Sequence, residues 1–382
     1  MDLFNIWDLE RVNIKPNKKL IKKLNKNIFS QFKTKPKAHI EIFPDKKVPF
    51  STFKNLLKES YIKHFFVPLD VYLEIIDRLN ISREYFQENI IAYKTAGGTN
   101  YVECPTLPIK ITPVFDMLFA HHVGDGTVIN PKKGRLPYFG YRQFDKFYRV
   151  AFVKKLENIF GKINFFKEGY FENSTRLYCP PVLSSLFFKY YNVKIEDFLS
   201  WKARIPQIIF DKGDESILAV LIAFIIDGGS IDSTQITISL KNKLLVQDLG
   251  EISNNLGYKF KITQAKSEQV KGYWRLHILR ESMKKLWEDY LELNKNYPII
   301  DLGIKGEKIK KSLEIYSKKI YKTGGNKEII LGILRNEQLS INQLAYMINM
   351  TRQGVRFYIH NLIKEGKIRL IENKGLNWVY GI

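Results

Sequence analysis

Two segments of the chain follow one pattern, and they restrict its possible folds more than any other feature. Each is an apolar helical run that contains an alanine and ends abruptly in an acidic residue, glycine and a small hydroxyl residue. An acid at the end of a buried helix is costly unless it pairs or binds a cation, because the helix dipole is already negative there. Two such ends brought together would form a concentrated negative site suited to a divalent cation. The first segment spans 118–128, with Asp125, Gly126 and Thr127, and the second spans 221–231, with Asp227, Gly229 and Ser230.

The residues after the two segments predict the same succession of elements. Gly126 and Gly229 lie 103 residues apart, which sets the period of an internal repeat. Each unit reads helix, strand, helix, strand, strand, helix, with one further strand in each too weak to assign, so we expect an α+β fold. After the motif helices, the predicted elements are 137–142, 145–160, 162–166, 175–179 and 181–191 in the first unit, and 234–239, 242–256, 258–263, 274–279 and 281–293 in the second.

The predicted strands of the second unit alternate between apolar and polar residues. One face of the sheet should therefore pack on helices, while the other is polar and basic. A solvated face explains the polarity, whereas the excess of cations favours a groove for phosphates. The predicted DNA-binding residues on this surface are Arg142 from the first unit and Gln235, Thr237, Ser239, Lys259, Lys261, Arg275 and His277 from the second.

The chain is strongly basic, with 61 Lys and Arg residues against 39 Asp and Glu residues and a formal net charge of +22. A protein with this excess usually binds a polyanion, although lysine-rich composition alone also gives a basic surface. Cys104 and Cys179 have no paired spacing, which argues against a disulfide framework or a cysteine zinc site. No apolar run reaches the length of a membrane span, so we expect a soluble, cytoplasmic, nucleoid-associated protein. A length of 382 residues predicts two to four domains.

Residues 323–382 are predicted to form a separate domain, which begins near the linker signal Lys322–Asn326. Helices are predicted at 327–335, at 340–348 and from 351, followed by two strands around Lys374-Gly375. This order resembles a winged helix-turn-helix, in which the start of the second motif helix contacts base edges in the major groove. A small helical bundle whose basic residues serve solubility is the alternative. The predicted DNA contacts are Thr351, Arg352, Gln353 and Arg356.

Residues 1–105 allow two interpretations. Three short helices are predicted at 51–58, 68–79 and 82–89, after a basic stretch from Lys15 to Lys37. They form either a second helix-turn-helix, with Thr52 and Lys54 near DNA, or a structural cap on the repeat. The sequence leaves both open.

The two motifs resemble the LAGLIDADG signature of homing endonucleases, in the free-standing form with both motifs in one chain. The segments Leu107–Pro113 and Arg204–Phe210 are also similar to the stretches that precede the motifs in that family. The resemblance implies two pseudo-symmetric αββαββα units, 106–200 and 201–322, that form a saddle over a long duplex. It implies a monomer that binds a specific site on double-stranded DNA and hydrolyses its phosphodiester bonds with a divalent metal ion, usually Mg²⁺.

In that family, small residues let the motif helices pack, and each helix delivers one acid to the cleavage site. Here the resemblance assigns Ala120 and Gly124 as the small positions of the first helix and Asp125 as its metal-binding acid; taken alone, Asp125 would be an ordinary helix-end aspartate. Cations there would lower the pKa of water and stabilise the leaving oxygen. The implied catalytic residues are Asp125 and Asp227, and the implied metal site comprises Asp125, Asp227 and Gly228.

The second motif departs from the first at the acid. Aligning Gly229 with Gly126 puts Gly228 in the acid slot and Asp227 one residue early, a rotation of roughly 100° on a regular helix. The other register puts Phe224 at the close-packing position. Unwinding at the two glycines would swing Asp227 inward, and Asp232 is a further carboxylate nearby. Without such help the second metal site is incomplete.

Further candidates surround the implied metal site. His121 stands four residues before Asp125, a spacing that suits a shared metal ion, although a packed or solvated histidine is commoner. The resemblance also implies a basic residue near the scissile phosphate. Its candidates are Lys167, Lys266 and Lys271.

Functions from different classes therefore compete. One is a Mg²⁺-dependent, site-specific DNA endonuclease, favoured by Asp125 and the complete repeat. Another is a DNA-binding transcription regulator that kept the fold and lost cleavage, favoured by Gly228 and the C-terminal domain. A third function, as an RNA-processing partner, is disfavoured because the C-terminal domain is predicted to bind the major groove of DNA.

Overall fold

The computed structural model describes residues 2–45, 47–124, 126–129, 135–165, 175–199, 202–265, 272–317, 325–348, 350–374 and 377–382. Helices and antiparallel sheets are both abundant, which confirms the predicted α+β class. A large hydrophobic core gathers residues between Ile6 and Ile309, and a smaller one gathers residues between Ile330 and Tyr380. Within the described ranges, no helix combines the length and the apolar character needed to cross a membrane.

The N-terminal region, residues 2–110, combines helices with an antiparallel sheet. Its elements are β1 (Leu3–Phe4), a 3-10 turn (Ile6–Asp8), β2 (Val12–Pro16), α1 (Lys18–Phe32), α2 (Lys35–Ile42), α3 (Phe50–Leu56), α4 (Glu59–His64), β3 (Val67–Pro68), α5 (Leu69–Arg78), α6 (Arg83–Glu88), β4 (Ile90–Thr95), β5 (Tyr101–Glu103) and β6 (Ile109–Lys110). The basic stretch of the sequence is largely α1, which buries Leu20, Leu24 and Ile28 on one face and exposes lysines on the other.

In the first unit, the motif helix is followed by four strands that belong to two different sheets. Its elements are α7 (Pro113–Gly124), β7 (Gly126–Ile129), β8 (Tyr138–Arg142), α8 (Lys146–Phe160), β9 (Lys162–Asn164), β10 (Arg176–Tyr178) and α9 (Pro181–Tyr190). Strands β7, β8 and β10 form one sheet in the order β10-β8-β7. Strand β9 instead extends the N-terminal sheet, whose order is β3-β2-β4-β5-β9, with Val102 opposite Ile163. The N-terminal region and the first unit therefore share a sheet.

The second unit repeats the order of elements. After α10 (Ile195–Leu199) and α11 (Gln207–Asp211) come α12 (Asp214–Gly228), β11 (Gly229–Ile231), β12 (Gln235–Leu240), α13 (Lys243–Asn255), β13 (Phe260–Gln264), β14 (Trp274–Leu279), α14 (Arg280–Asn296) and α15 (Ile304–Ser317). Its sheet has the order β11-β12-β14-β13. In each unit, one strand could not be assigned from the sequence. These two strands are β7 and β11, and each directly follows its motif helix. These strands are short and begin with glycine, which weakens their periodic signal.

The two motif helices, α7 and α12, pack along each other in the large core. Both are apolar on every side, so both need neighbours all around. Asp116 is a fully buried exception on α7, and its carboxylate accepts hydrogen bonds from the Tyr191 hydroxyl and the Lys212 ammonium. Because Lys212 lies just ahead of α12, this ion pair ties the first motif helix to the start of the second.

The C-terminal region, residues 325–382, has its own core. Its elements are α16 (Asn326–Asn336), β15 (Leu339–Ser340), α17 (Ile341–Met347), α18 (Arg352–Lys364), β16 (Arg369–Lys374) and β17 (Asn377–Gly381). The three helices and two strands lie where the sequence places them, and β15 adds an edge to the sheet, whose order is β15-β17-β16. Ser340 and Gln343 form a capping box at the start of α17.

Candidate functional site at the ends of the motif helices and on the sheet faces

Each motif helix is followed by a glycine, Gly126 or Gly229, that no other residue can replace without movement of the backbone. A Cβ on Gly126 would lie 1.8 Å from the carbonyl oxygen of His122, and a Cβ on Gly229 would lie 2.5 Å from that of Ile225. Each glycine comes four residues after the crowded carbonyl and begins a strand. This spatial equivalence favours the register that pairs Gly126 with Gly229. In that register Gly228 corresponds to Asp125.

The small residue Gly124 faces the second motif helix. A Cβ there would lie 3.3 Å from the Phe224 ring and 3.4 Å from Oδ2 of Asp227. Ala120, one turn earlier, is fully buried. A larger residue at 124 would push α7 away from α12.

The carboxylate of Asp227 points into the protein. Its side chain is only 2% exposed. Oδ1 accepts a hydrogen bond of 2.8 Å from the Tyr141 hydroxyl, and Oδ2 lies 2.9 Å from Nδ1 of His121. Tyr141 comes from β8 and His121 from α7, so both partners belong to the first unit. The acid of the second motif therefore joins the two units.

Burial has the largest effect on the pKa values of Asp227, Lys155 and His121. It raises the pKa of Asp227 to about 8, although the Tyr141 hydrogen bond and the charges of Lys155 and Lys305 act in the opposite sense. Burial also lowers the pKa of Lys155 to about 8, against the attraction of Asp227 and Asp301. The pKa of His121 falls well below 6.5 because of burial and the charge of Lys155. Near neutral pH, Asp227 is thus largely protonated beside a neutral imidazole.

His122 and His121 pack among aromatic rings. The His122 ring stacks on Phe139 with centroids 4.4 Å apart and meets the edge of Phe152 at 5.3 Å. Burial and the neighbouring His121 lower its pKa well below 6.5. Each histidine is about 1% exposed. The described contacts of His121 are to Asp227 and aromatic rings, while its predicted metal partner Asp125 lies outside the described residues.

The described residues at the helix ends do not fit a divalent cation. Both oxygens of Asp227 are engaged by Tyr141 and His121, and Gly228 has no side-chain donor. The carboxylate of Asp232 accepts hydrogen bonds from the Thr234 hydroxyl and from backbone amides nearby. No group of three or more His, Cys, Asp or Glu side chains in the described ranges is arranged to hold a metal ion. Asp125, Lys167, Lys266 and Lys271 lie outside those ranges, so their roles stay predictions.

Replacing Asp227 with asparagine should change how stability depends on pH. The unfolded chain releases this proton near pH 3.8, whereas the folded protein holds it until about pH 8. Across that interval the folded state binds more protons, so ionisation of Asp227 makes folding less favourable as the pH rises. Asp227→Asn removes this titration. The free energy of unfolding of the variant minus that of the wild type should therefore increase from pH 5 to pH 8 and level off above.

Urea unfolding at several pH values measures this difference. Tyr141→Phe is the matched variant, because it removes a hydrogen bond to the same carboxyl and keeps the titrating group. Its unfolding free energy should keep the wild-type decline with pH, offset by about 1 kcal/mol. A constant difference between Asp227→Asn and the wild type across this range would show that Asp227 ionises normally.

The second sheet face brings most of the predicted DNA-binding residues together. It consists of two rows across β12, β14 and β13: Thr237, His277 and Lys261, then Ser239, Arg275 and Thr263. Gln235 and Lys259 follow the same alternation at the strand ends. The opposite face of the sheet includes the fully buried residues Ile236, Ile238, Leu276 and Ile278.

His277 organises the second sheet face. It is 7% exposed, with Nδ1 3.0 Å from the Thr237 hydroxyl oxygen and Nε2 2.8 Å from that of Thr263. Burial, Lys261 and Arg275 lower its pKa below 6.5. The neutral ring therefore bridges three strands, and the neighbouring cations are better placed than the ring to meet a ligand.

The first sheet face, carried by β8 and β10, holds the predicted Arg142 and adds Arg176, which the sequence did not single out. Arg142 lies opposite Arg176 across β8 and β10, and both are exposed. Tyr138 and Tyr178 meet edge to face with centroids 5.8 Å apart. Gly140 makes room for them, since a Cβ there would lie 3.2 Å from the Tyr178 ring.

The start of α18 presents the predicted C-terminal contacts. The Thr351 hydroxyl oxygen accepts a hydrogen bond of 2.9 Å from the amide of Gly354, as an N-cap should. Arg352, Gln353 and Arg356 are exposed along the first turns. The two arginines also line a cavity of about 420 Å³ together with Trp378.

Comparison with known proteins gives matches among solved structures alone. No family model and no curated protein matches this chain. The homing endonuclease I-DmoI in complex with DNA and Mn is 17% identical over 46% of this chain and 95% of that chain, with a TM-score of 0.34. I-WcaI bound to its DNA recognition sequence is 10% identical over 47% of this chain and 81% of its own, with a TM-score of 0.32. Full-length DUF199/WhiA from Thermatoga maritima is 14% identical over 67% of this chain and 91% of its own, with a TM-score of 0.31.

Proposed function

We propose that this protein binds a specific site on double-stranded DNA through its two sheet faces. The observation that carries the proposal is the second sheet face, where the exposed Lys261 and the half-buried Arg275 lie beside His277, which is buried and neutral. Duplex DNA carries one negative charge per ~1.7 Å of axis, so a long cationic surface suits it. The exposed Arg142 and Arg176 supply two further cations on the first sheet face, and the net charge of +22 agrees with a polyanionic partner.

The C-terminal region supplies a second contact in this proposal. Residues 323–382 act as a winged helix-turn-helix domain whose helix α18 enters the major groove. Arg352 and Gln353 stand at its start, where side chains of such helices meet base edges. The sheet faces then contribute most of the affinity, and α18 contributes selectivity.

The geometry favours binding without double-strand cleavage. Metal-assisted cutting of both strands needs carboxylates that reach the scissile phosphates. Asp227 is instead buried, hydrogen-bonded to Tyr141 and His121, and largely protonated. Gly228 occupies the corresponding acid slot. In this proposal the protein is a LAGLIDADG-derived DNA-binding regulator rather than a homing endonuclease.

The endonuclease remains the second candidate because the first motif keeps its acid. Asp125 directly precedes Gly126, at the position that the family uses for the divalent metal ion. In this alternative Mg²⁺ is the cofactor, and Asp125→Asn abolishes cutting.

The double variant Lys261→Ala/Arg275→Ala should bind the selected site far more weakly. The site is first obtained by selection from random duplex DNA. Loss of two phosphate contacts should reduce the slope of log affinity against log salt by about 2, since each contact contributes ~0.9. Lys284→Ala is the matched control, because this exposed lysine lies on α14, away from the sheet surface. Equal salt slopes for the double variant and the wild type would exclude the second sheet face as the binding surface.

The same selected duplex separates the two candidate functions. Incubation of the wild type with Mg²⁺ or Mn²⁺ should leave both strands intact while the site stays bound. Cut ends that disappear in Asp125→Asn would instead establish the endonuclease.

A further inference from the structure

One face of the N-terminal sheet carries a row of polar residues across four strands. Asn13 of β2 lies opposite Lys94 of β4, and Lys94 in turn lies opposite Tyr101 of β5. Asn164 of β9 continues the row beyond Tyr101, and Lys15 shares the face because it follows Asn13 by two residues. All five residues are half-buried, and we call them the N-terminal sheet face. The opposite face includes the fully buried residues Ile14, Tyr93 and Val102.

Two lysines of this face converge on one aromatic ring. The ring of Phe66, directly ahead of β3, has its centroid 4.9 Å from Nζ of Lys94 and 5.4 Å from Nζ of Lys15. The negative face of the ring attracts each ammonium, but two like charges on neighbouring strands also repel each other. Glu103, on the same side of the sheet, lies opposite Lys162 of β9 and 4.0 Å from its ammonium. An anion that accepts hydrogen bonds from both converging lysines would offset their repulsion.

The Tyr101 ring is fixed in place beside Phe66. Their centroids are 5.4 Å apart with the planes tilted by 56°, and the Tyr101 hydroxyl oxygen accepts a hydrogen bond of 2.8 Å from Nδ2 of Asn164. Both rings are half-buried, so part of each stays open to a ligand. Aromatic rings beside cations are platforms on which the bases of single strands stack. A duplex hides the faces of its bases within its own stack, so paired bases cannot reach such rings.

We propose that the N-terminal sheet face binds unpaired DNA, with a phosphate between Lys15 and Lys94 and a base against the ring of Tyr101. This activity goes beyond the duplex binding proposed above, because it uses a different sheet and recognises base faces that a duplex conceals. Binding should depend little on sequence, since every base has a π face. It should weaken as salt rises, with a slope of ~0.7 for each phosphate contact on a single strand.

Fluorescence anisotropy with a labelled oligothymidine of about 16 nucleotides measures this binding. Tyr101→Leu removes the ring and should lower the affinity about tenfold, whereas Tyr101→Phe keeps the ring and should retain the wild-type affinity. Phe65→Leu is the matched control, because this phenylalanine is 53% exposed next to Phe66 but its ring stacks on Tyr61 at 4.7 Å. It should bind as the wild type does. Circular dichroism checks that each variant is folded.

The salt dependence of the same binding tests the two lysines. Lys15→Gln/Lys94→Gln should reduce the slope of log affinity against log salt by ~0.7, the contribution of one phosphate. Lys22→Gln/Lys26→Gln is the charge-matched control, because both lysines are exposed on α1 and lie outside the N-terminal sheet face. This control should keep the wild-type slope.

Wild-type affinity in Tyr101→Leu, or equal salt slopes in the two lysine variants, would overturn the proposal. Tighter binding of an oligouridine of the same length than of the oligothymidine would overturn the assignment to DNA and point to RNA. The selected duplex separates this proposal from the proposed function. A wild type that binds the oligothymidine through Tyr101 but binds no duplex would overturn the proposed function and leave this proposal standing.

Discussion

Gly126→Ala should lower the free energy of unfolding by about 3 kcal/mol or more, among the larger effects expected of a single substitution. The new Cβ would lie 1.8 Å from the carbonyl oxygen of His122 and 2.5 Å from its carbonyl carbon. Both are backbone atoms of the last helical turn, so no side-chain rotation relieves the overlap. The chain would have to leave α7 differently and shift β7, which pairs with β8 through Gly126 and Tyr141. Urea unfolding followed by circular dichroism measures the loss.

Gly228→Ala is the control for that substitution. The residue is also a glycine at the end of a motif helix, but a Cβ there would meet only the Ser239 carbonyl oxygen, at 3.9 Å. Alanine also favours the helix over glycine by up to about 1 kcal/mol. Gly228→Ala should therefore be neutral or slightly stabilising, and Gly229→Ala should resemble Gly126→Ala. Similar losses at 126 and 228 would refute the steric account of the two helix ends.

Asp116→Ala should destabilise the protein by about 3–5 kcal/mol, the usual cost of breaking a buried ion pair from one side. The Asp116 side chain is fully buried, while that of Lys212 is 20% exposed. Alanine would leave the ammonium without its carboxylate and the Tyr191 hydroxyl without its acceptor. The rings of Tyr190 and Tyr191 near the ammonium, at 4.8 and 5.6 Å, compensate only in part. The free energy of unfolding in urea is the measurement.

A double variant separates the ion pair from simple loss of packing. Asp116→Leu/Lys212→Met removes both charges and keeps apolar volume, so it should regain most of the stability lost in Asp116→Ala. If the double variant is as unstable as the sum of its two single variants, the charges are not coupled. The Asp116–Lys212 pair would then add nothing to the link between the two motif helices.

The helices and strands of the repeated units could be predicted from sequence because the patterns that mark them involve residues close together in the chain. Alternation within 235–240 and 274–279 gives the polar face, and caps such as Asp145, Asn242 and Thr351 mark where helices begin. In the N-terminal region the sequence predicted three of the helices but not the sheet. Its sheet forms through pairings such as Val102 with Ile163, which lie far apart along the chain and leave no periodic pattern.

At the candidate site, too, the sequence predicted features that depend on neighbouring residues and missed those that depend on residues far along the chain. The sequence alone predicted that Asp227 lies one residue early when Gly229 is aligned with Gly126. It did not show where the carboxylate goes, because its hydrogen-bond partner Tyr141 is 86 residues away and His121 is 106. Arg176 was missed for a different reason: its strand has only three residues, too few to give a clear alternation.

The shared sheet of the N-terminal region and the first unit has a consequence for how this chain can change over evolution. Strand β9 pairs with β5, whereas its counterpart β13 pairs with β14 inside its own unit. A chain built from two copies of the second unit would leave β5 with an unpaired edge, and edges of that kind promote aggregation. The two halves share an order of elements but are not interchangeable. Recombination that swaps or duplicates them should therefore fail unless the N-terminal region changes with them.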